Sequence, residues 1–374
     1  MKKKILIPYA SYGTGHKSTA LYIKDYFEKN GDYECMTIDL LTYSVPVIGN
    51  LSKKTSEFLM TKLPSLWSII YYAFDNKLSA YINKNIFLKL FNDKKLQKDI
   101  LDFEPDISIA THFLGTDLMS KYNNKGLTNA KLVSVVTDYK AHDFWLNNVK
   151  KTDAIIVGSF LERIHLLKKG YQNKQIFTTG IPISPEIKEK LDREKLKKKY
   201  KVDNDKKTIL FFVGGGNGAT YNLIYLKELL KSKYDCNILF VSGKNKTALK
   251  KSKYYAKKYG NNNIRIFGFV TNINELYEVS DFVITKPGGI QVTECLLFER
   301  PMLLIKGNGG QEIDNRRFLI KSKYALSAYN KYSFNKKLDK LMTNEKLFNE
   351  LKQNIKKVKQ NKSMEKLFKI IEKL

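Results

Sequence analysis

Several short stretches of this 374-residue chain combine residue types able to do chemistry. The densest is Asp281 to Asn315, DFVITKPGGIQVTECLLFERPMLLIKGNGGQEIDN. An apolar strand over Phe282–Thr285 runs into Lys286, Pro287, Gly288 and Gly289, and a helix follows at once with Glu294 near its first turns. After such a glycine turn no side chain blocks a diphosphate, and free backbone N–H groups converge with the positive end of the helix dipole. Glu294, one or two turns further in, can accept hydrogen bonds from paired sugar hydroxyls. The combination suggests a nucleotide-sugar site.

A second stretch, Ser11-Tyr12-Gly13-Thr14-Gly15-His16, precedes a helix from Lys17. It is not a P-loop, because His16 separates Gly15 from Lys17, and it is not GxGxxG, because Ser18 takes the third glycine position. It reads either as a loop that holds His16 neutral at a helix N-terminus, where N–H dipoles disfavour the imidazolium, or as a turn with an incidental histidine. Gly214-Gly215-Gly216-Asn217-Gly218 places glycine at all but one of its positions, more than a tight turn needs, which points to a loop facing phosphate or sugar. Gly243 and Asn245, in FVSGKNK, read most simply as turn chemistry. Phe269 and Val270, after the next strand, present backbone either to a flat base or to an ordinary turn. Gln311, Glu312 and Asn315 can grip sugar hydroxyls or cap a helix. The stretch TDYKAHD offers Asp138, His142 and Asp143, but its spacing is not diagnostic of a metal, and a structural or acceptor-side role is expected.

The elements that must position these residues follow from the alternation of short apolar strands with longer amphipathic segments, the signature of helices covering a parallel sheet. In the first half the predicted strands are Ile5–Tyr9, Cys35–Leu40, Ile107–Thr111, Leu132–Thr137 and Ala154–Gly158. In the second they are Ile209–Val213, Ile238–Ser242, Ile264–Phe267, Phe282–Thr285 and Met302–Ile305. Two α/β units are expected, residues 1–180 and 181–374, divided near Gly180, Pro182 and Pro185 ahead of a lysine-rich helix from Glu186 to Tyr200. Ligands of such sheets sit outside the carboxyl ends of the strands, where the loops above lie.

Composition narrows the partners. Lys and Arg number 66 against 37 acids, a net +29, which implies a polyanionic partner or surface. No zinc-finger, helix-turn-helix or aromatic-basic RNA-binding motif is present, so nucleic acid is not expected. Cys35, Cys236 and Cys295 are odd in number and lack CxxC spacing, which argues for reduced thiols in a cytoplasmic protein and against zinc. The start MKKKILIPYASYG reads as a first strand rather than a signal peptide. No stretch approaches the roughly 20 apolar residues that cross a bilayer, so membrane contact is expected to be peripheral. Residues 45–95 interleave apolar and aromatic residues such as Phe58, Leu66, Trp67, Ile69 and Tyr72 with Lys53, Lys54, Lys62 and Lys77; part of this apolar face is expected to pack into the first unit's core, and the segment as a whole reads as interfacial on an anionic membrane.

The order GTGH, TTGIPISPEI, FFVGGGNGA, VSGKN, GFVTNINELYEVSD, ITKPGG, Glu294 and QEIDN resembles the family of bacterial processive diacylglycerol glucosyltransferases and plant monogalactosyldiacylglycerol synthases. More distantly it is similar to the lipid-linked N-acetylglucosaminyltransferase of peptidoglycan synthesis. The resemblance covers nearly the whole chain. It implies an α/β GT-B architecture: two Rossmann-like domains with parallel sheets facing across a cleft, the first acceptor- and membrane-facing, the second binding nucleotide sugar, with the last helix packing back on the first.

The implied reaction is inverting, metal-independent transfer of a hexose from a UDP-sugar, UDP-glucose ahead of UDP-galactose, to diacylglycerol, with further transfer onto the glycolipid product. No cofactor is implied, since the UDP-sugar is a substrate. The alternatives are an isoprenoid lipid carrier as acceptor and a UDP-sugar 2-epimerase on a related scaffold. The resemblance makes His16, in its loop with Gly13 and Gly15, the acceptor base and Glu294 the ribose ligand. Gln311, Glu312 and Asn315 become donor contacts; Lys286, Gly288 and Gly289 line the diphosphate turn, with Gly215, Gly216 and Asn217 opposite. Gly243, Asn245, Phe269, Val270 and Thr293 complete the donor set. Departures are Ile290-Gln291 where the family usually has Thr, Thr293-Glu294 for Ser-Glu, Thr111-His112-Phe113 where a His-Pro pair is common, and Ser184 where Arg often follows GxPI.

Overall fold

Runs rich in Ile, Val, Leu and Phe form parallel strands buried on both faces, which is why they read as continuous apolar stretches rather than alternating ones. The computed structural model describes residues 2–12, 14–43, 55, 58–59, 63–90, 93–184, 191–214, 217–260, 262–307, 309–358 and 362–374. The chain divides into two units: Met1–Ser184 with Gly309–Gln311 and Gln360–Leu374, and Pro185–Asn308 with Glu312–Lys359.

In the first unit β1 (Lys3–Tyr9), β2 (Tyr33–Asp39), β3 (Ile107–Ala110), β4 (Lys131–Val135), β5 (Ala154–Val157) and β6 (Ile176–Thr178) form a sheet ordered β2-β1-β3-β4-β5-β6. Every pairing is parallel. Side chains alternate between the faces. Ile5, Ile7, Ile109, Val133 and Ile156 meet Ala20, Ile23 and Phe27 of the helix Gly15–Asn30, together with Met364, Leu367 and Ile371 of the helix Ser363–Ile371. Leu6, Ile38 and Leu132 pack instead with Leu96 and Ile100 of the helix Lys94–Phe103 and with Leu114, Leu118 and Met119 of the helix Phe113–Asn124.

The second unit repeats the plan with β7 (Thr208–Phe212), β8 (Asn237–Val241), β9 (Ile264–Phe267), β10 (Phe282–Thr285), β11 (Met302–Leu304) and β12 (Ala325–Ser327), ordered β12-β11-β10-β7-β8-β9 and parallel. Each sheet has one switch point, where successive crossovers depart in opposite directions and open a crevice at the strands' carboxyl ends. In the first unit it lies between β1 and β3, with Ile5 beside Ile107. In the second it lies between β7 and β10, with Phe282 beside Ile209.

The structure adds β6 and β12 to the expected strands. Each is three residues long, too short to carry a readable period, and each closes a sheet edge. The helix expected from Glu186 to Tyr200 is described over Arg193–Tyr200; its start is set by Asp192, whose carboxylate accepts from the N–H groups of Glu194 and Lys195, both at 3.1 Å. Residues 185–190 lie outside the described residues.

Candidate functional site

In the first unit the switch point brings together residues far apart in sequence. The loop after β1 is tied down by Asp39, at the end of β2, which accepts from the Ser11 N–H at 3.2 Å. His16 then falls in the first turn of the helix Gly15–Asn30, beside the end of β3. Its Nδ1 lies 2.6 Å from the Thr111 carbonyl oxygen and 3.1 Å from the Thr137 hydroxyl, while the Thr111 hydroxyl donates to the His16 carbonyl at 3.0 Å.

A carbonyl only accepts, so Nδ1 carries the proton and Nε2 keeps its lone pair. Burial lowers the His16 pKa below its ordinary value, partly opposed by the Thr111 hydrogen bond, and the helix N-terminus acts in the same sense as burial. The outcome is a neutral imidazole with its free nitrogen on Nε2, the form a general base requires. His112 stands against it, ring centroids 4.8 Å apart. It is buried and neutral, its pKa held well below the usual value by desolvation, and its Nδ1 accepts from the Leu114 N–H at 3.3 Å. Gly15 opens the helix; Gly13 lies outside the described residues.

In the second unit β10 delivers the chain into Lys286-Pro287-Gly288, and the helix Gly289–Leu297 begins with Gly288 as an N-cap that supplies no side-chain hydrogen bond. Gly288 has φ −75°, open to any residue. Among the described residues a Cβ there would meet only the Glu312 carboxylate, at 3.8 Å, an ordinary van der Waals contact. Lys286 Nζ lies 2.5 Å from Glu312 Oε1. A Cβ at Gly307 would collide with that same carboxylate, so Gly307 is the residue that admits it. Asn315, fully buried on the helix Gln311–Lys321, donates from Nδ2 to the Pro287 carbonyl at 3.1 Å and fixes the turn from behind.

Glu294 is buried one turn inside its helix, and the Tyr277 hydroxyl donates to its Oε2 at 2.9 Å. Burial pushes the Glu294 carboxyl up to about 7, against the Tyr277 hydrogen bond, which favours the ionised form. The fully buried Thr293 donates its hydroxyl to the Gly289 carbonyl at 2.7 Å, within its own helix. Lys286, Gly288, Gly289, Glu312 and Asn315 are therefore gathered beyond the carboxyl end of β10, with Glu294 further along the helix that starts there.

The remaining candidates sit on neighbouring strand ends. Gly243, with φ +58°, makes the turn after β8, and Asn245 caps the helix Lys246–Lys258 by accepting from the Ala248 N–H at 2.9 Å. Phe269 and Val270 follow β9; the Phe269 ring is 66% exposed, with Lys244 Nζ 5.1 Å from its centroid. Asn217 opens a short 3-10 helix, Asn217–Asn222, after β7, while Gly215 and Gly216 lie outside the described residues. Gln311 begins its helix with Oε1 buried and lacking a hydrogen-bond partner among the described residues. In TDYKAHD, His142 Nε2 donates to the Tyr71 carbonyl at 3.0 Å and Asp143 pairs with Lys169 at 2.7 Å. No cluster of three or more metal-binding side chains occurs among the described residues.

Sequence reasoning missed Tyr277, treated Thr111 and Gln291 only as parts of departures from the family pattern, and read Thr137 only as the start of the TDYKAHD stretch. Tyr277 had a signal of its own, a tyrosine between buried Leu276 and Val279, because a buried phenol must find a partner for its hydroxyl.

Residues 16–183 match the family model described as Monogalactosyldiacylglycerol (MGDG) synthase, and residues 192–358 match the one described as Glycosyl transferases group 1. The processive diacylglycerol beta-glucosyltransferase of Bacillus licheniformis is 31% identical over 366 residues, 97% of this chain and 93% of that protein. Among solved structures, MurG of Acinetobacter baumannii is similar with a TM-score of 0.65 at 12% identity, covering 100% of both chains. The UDP-GlcNAc 2-epimerase of Neisseria meningitidis, bound to UDP-GlcNAc, gives 0.64 at 10% identity, covering 99% of this chain and 100% of that chain. At such identities these two establish the fold, the GT-B pair of Rossmann-like units, and leave the reaction to be argued from the site. With close to a third of its residues identical along almost its full length, this chain belongs to the family of processive diacylglycerol beta-glucosyltransferases.

Proposed function

We propose that the protein transfers a hexose, glucose in the favoured case, from a UDP-sugar to diacylglycerol with inversion at the anomeric carbon, and that it can act again on the glycolipid product. The observation that carries the catalytic half is the Nδ1 hydrogen bond of His16 to the Thr111 carbonyl, which leaves Nε2 as the proton acceptor. The acceptor hydroxyl oxygen attacks C1 as its proton passes to His16 Nε2, and the C1–O bond to the diphosphate breaks on the opposite side. One displacement inverts C1. The departing UDP carries the negative charge, which the uncapped helix start at Gly288–Gly289 and Lys286 are suited to stabilise. No step is routed through a metal ion. Glu294 takes the ribose hydroxyls, and Gln311 and Glu312 take the sugar. The acceptor assignment rests on the diacylglycerol named for the Bacillus licheniformis relative.

The reading includes peripheral attachment to the cytoplasmic face of an anionic membrane through residues 45–95. Among the described residues no helix is long and apolar enough to cross a membrane. The helices Pro64–Ala73 and Lys77–Leu90 nonetheless expose Leu66, Ile69, Leu78, Tyr81, Ile82 and Ile86. Residues 45–54, 56–57, 60–62 and 91–92 of this region lie outside the described residues. The decisive experiment pairs radiolabelled UDP-glucose, UDP-galactose and UDP-N-acetylglucosamine with diacylglycerol or a prenyl phosphate, with and without a chelator. Labelled glucosyl-diacylglycerol in both conditions is expected. Label only in the prenyl lipid would move the acceptor, and sugar interconversion without any labelled lipid would replace transfer by epimerisation.

A further inference from the structure

We propose that Tyr277 is the positioning residue of the donor site, pinning one oxygen of the Glu294 carboxyl so that the other is presented to the paired hydroxyls of a ribose. The inference rests on the assignment of Glu294 to ribose made above. Tyr277 comes from the helix Ile273–Val279 and Glu294 from the helix Gly289–Leu297, so their contact fixes two elements as well as one side chain. The Tyr277 ring is fully buried and stacks on Phe298, centroids 4.9 Å apart and planes 10° from parallel. Burial and stacking fix the ring and with it the position of the hydroxyl oxygen. The O–H donates to Glu294 Oε2 at 2.9 Å. Gln291, one turn before Glu294, donates from Nε2 to the Tyr277 oxygen and reaches Oε2 at 3.4 Å.

Both donors thus converge on Oε2, and no hydrogen bond from the described residues reaches Oε1. A carboxyl fixed in this way meets two vicinal hydroxyls without first losing its own rotational freedom, which is the advantage of a preorganised site. The ionisable groups around the carboxyl are Tyr277 and, on its own helix, Cys295; Arg300 faces these two rather than the carboxyl, its Nε donating to the Tyr277 carbonyl at 2.9 Å. Of these, the Tyr277 hydroxyl is the group that favours ionised Glu294 through a hydrogen bond. Removing it therefore raises the carboxyl further, so more of it is protonated near neutrality and the loss is recovered as pH rises.

The test is calorimetric titration with UDP-glucose, whose diphosphate does not change charge near neutrality, from about pH 6 to about pH 8.5. Wild type, Tyr277→Phe, Glu294→Gln and the double variant are compared. Tyr277→Phe keeps the stacked ring and is expected to weaken binding about fivefold at neutral pH, the loss of one hydrogen bond. It is also expected to move the midpoint of the pH dependence upward. In the Glu294→Gln background the same change should have no further effect. Gln291→Leu, which removes the second donor and leaves the ring in place, should shift the midpoint in the same direction by less, and it carries the test alone if Tyr277→Phe does not fold. Wild-type affinity and midpoint in the Tyr277→Phe and Gln291→Leu variants, beside weakened binding by Glu294→Gln, would overturn the positioning role while leaving the donor site intact. Unchanged binding by Glu294→Gln would remove the donor-site assignment itself.

Discussion

At the scale of single residues, the decisive quantity at His16 is where its proton sits. Because the Thr111 carbonyl fixes the proton on Nδ1, the base that remains is Nε2, and substituting His16 by Ala should cut kcat by about 10²- to 10⁴-fold while leaving the Michaelis constant for UDP-sugar within about twofold. The pH dependence has a definite sign. Burial disfavours the imidazolium, so the His16 pKa is lowered and the base stays neutral until the pH falls below the ordinary histidine value of 6.5. Stopped assays across pH should therefore place the acidic limb of kcat below that value. A limb above neutrality that vanishes in His16→Ala would identify His16 as the titrating group and contradict its lowered pKa. The histidine and its glycine neighbours were legible in the sequence; the tautomer was not, because its cause, Thr111, lies 95 positions away. The same holds for Glu294, whose carboxylate was readable but whose pKa, raised by burial and held down in part by the Tyr277 hydrogen bond from another helix, was not.

At the scale of elements, strands with four or more apolar residues were readable from pattern, and each loop inspected after them follows a real strand. β6 and β12 were not readable, since three residues at a sheet edge show no period. The helix Ser363–Ile371 has a plain amphipathic pattern, but nothing in that pattern names its partner. The structure seats Met364, Leu367 and Ile371 against Ile5, Ile7 and Ile23 of the first unit, with Phe368 5.0 Å from Phe27 between ring centroids. Leu367→Ala should accordingly destabilise the first unit by about 2–5 kcal/mol, measured by urea unfolding followed through a probe in that unit. A cost below about 0.5 kcal/mol would mean that the helix does not pack there in solution.

At the scale of the whole molecule, the charge of +29 and the apolar side chains exposed on the helices Pro64–Ala73 and Lys77–Leu90 make one argument for membrane contact. Liposome flotation should recover the protein with anionic vesicles far better than with neutral ones, and added salt should reduce recovery by screening the surface. Ile69→Glu combined with Ile86→Glu, at positions 67% and 51% exposed, should lower recovery about tenfold with the fold intact by circular dichroism. Equal recovery with neutral and anionic vesicles, indifferent to salt, would remove the electrostatic part. The sequence by itself determined two α/β units, the glycine turn after β10, the histidine after β1 and the overall charge, because each is written in neighbouring residues through local pattern and composition. Only the tertiary structure decided which of those residues meet. The β1–β3 switch point sets the proton on His16, the pairing of β10 with β11 brings Glu312 to Lys286, and the packing of two helices puts Tyr277 on the Glu294 carboxyl, so each arises from partners that sequence distance separates.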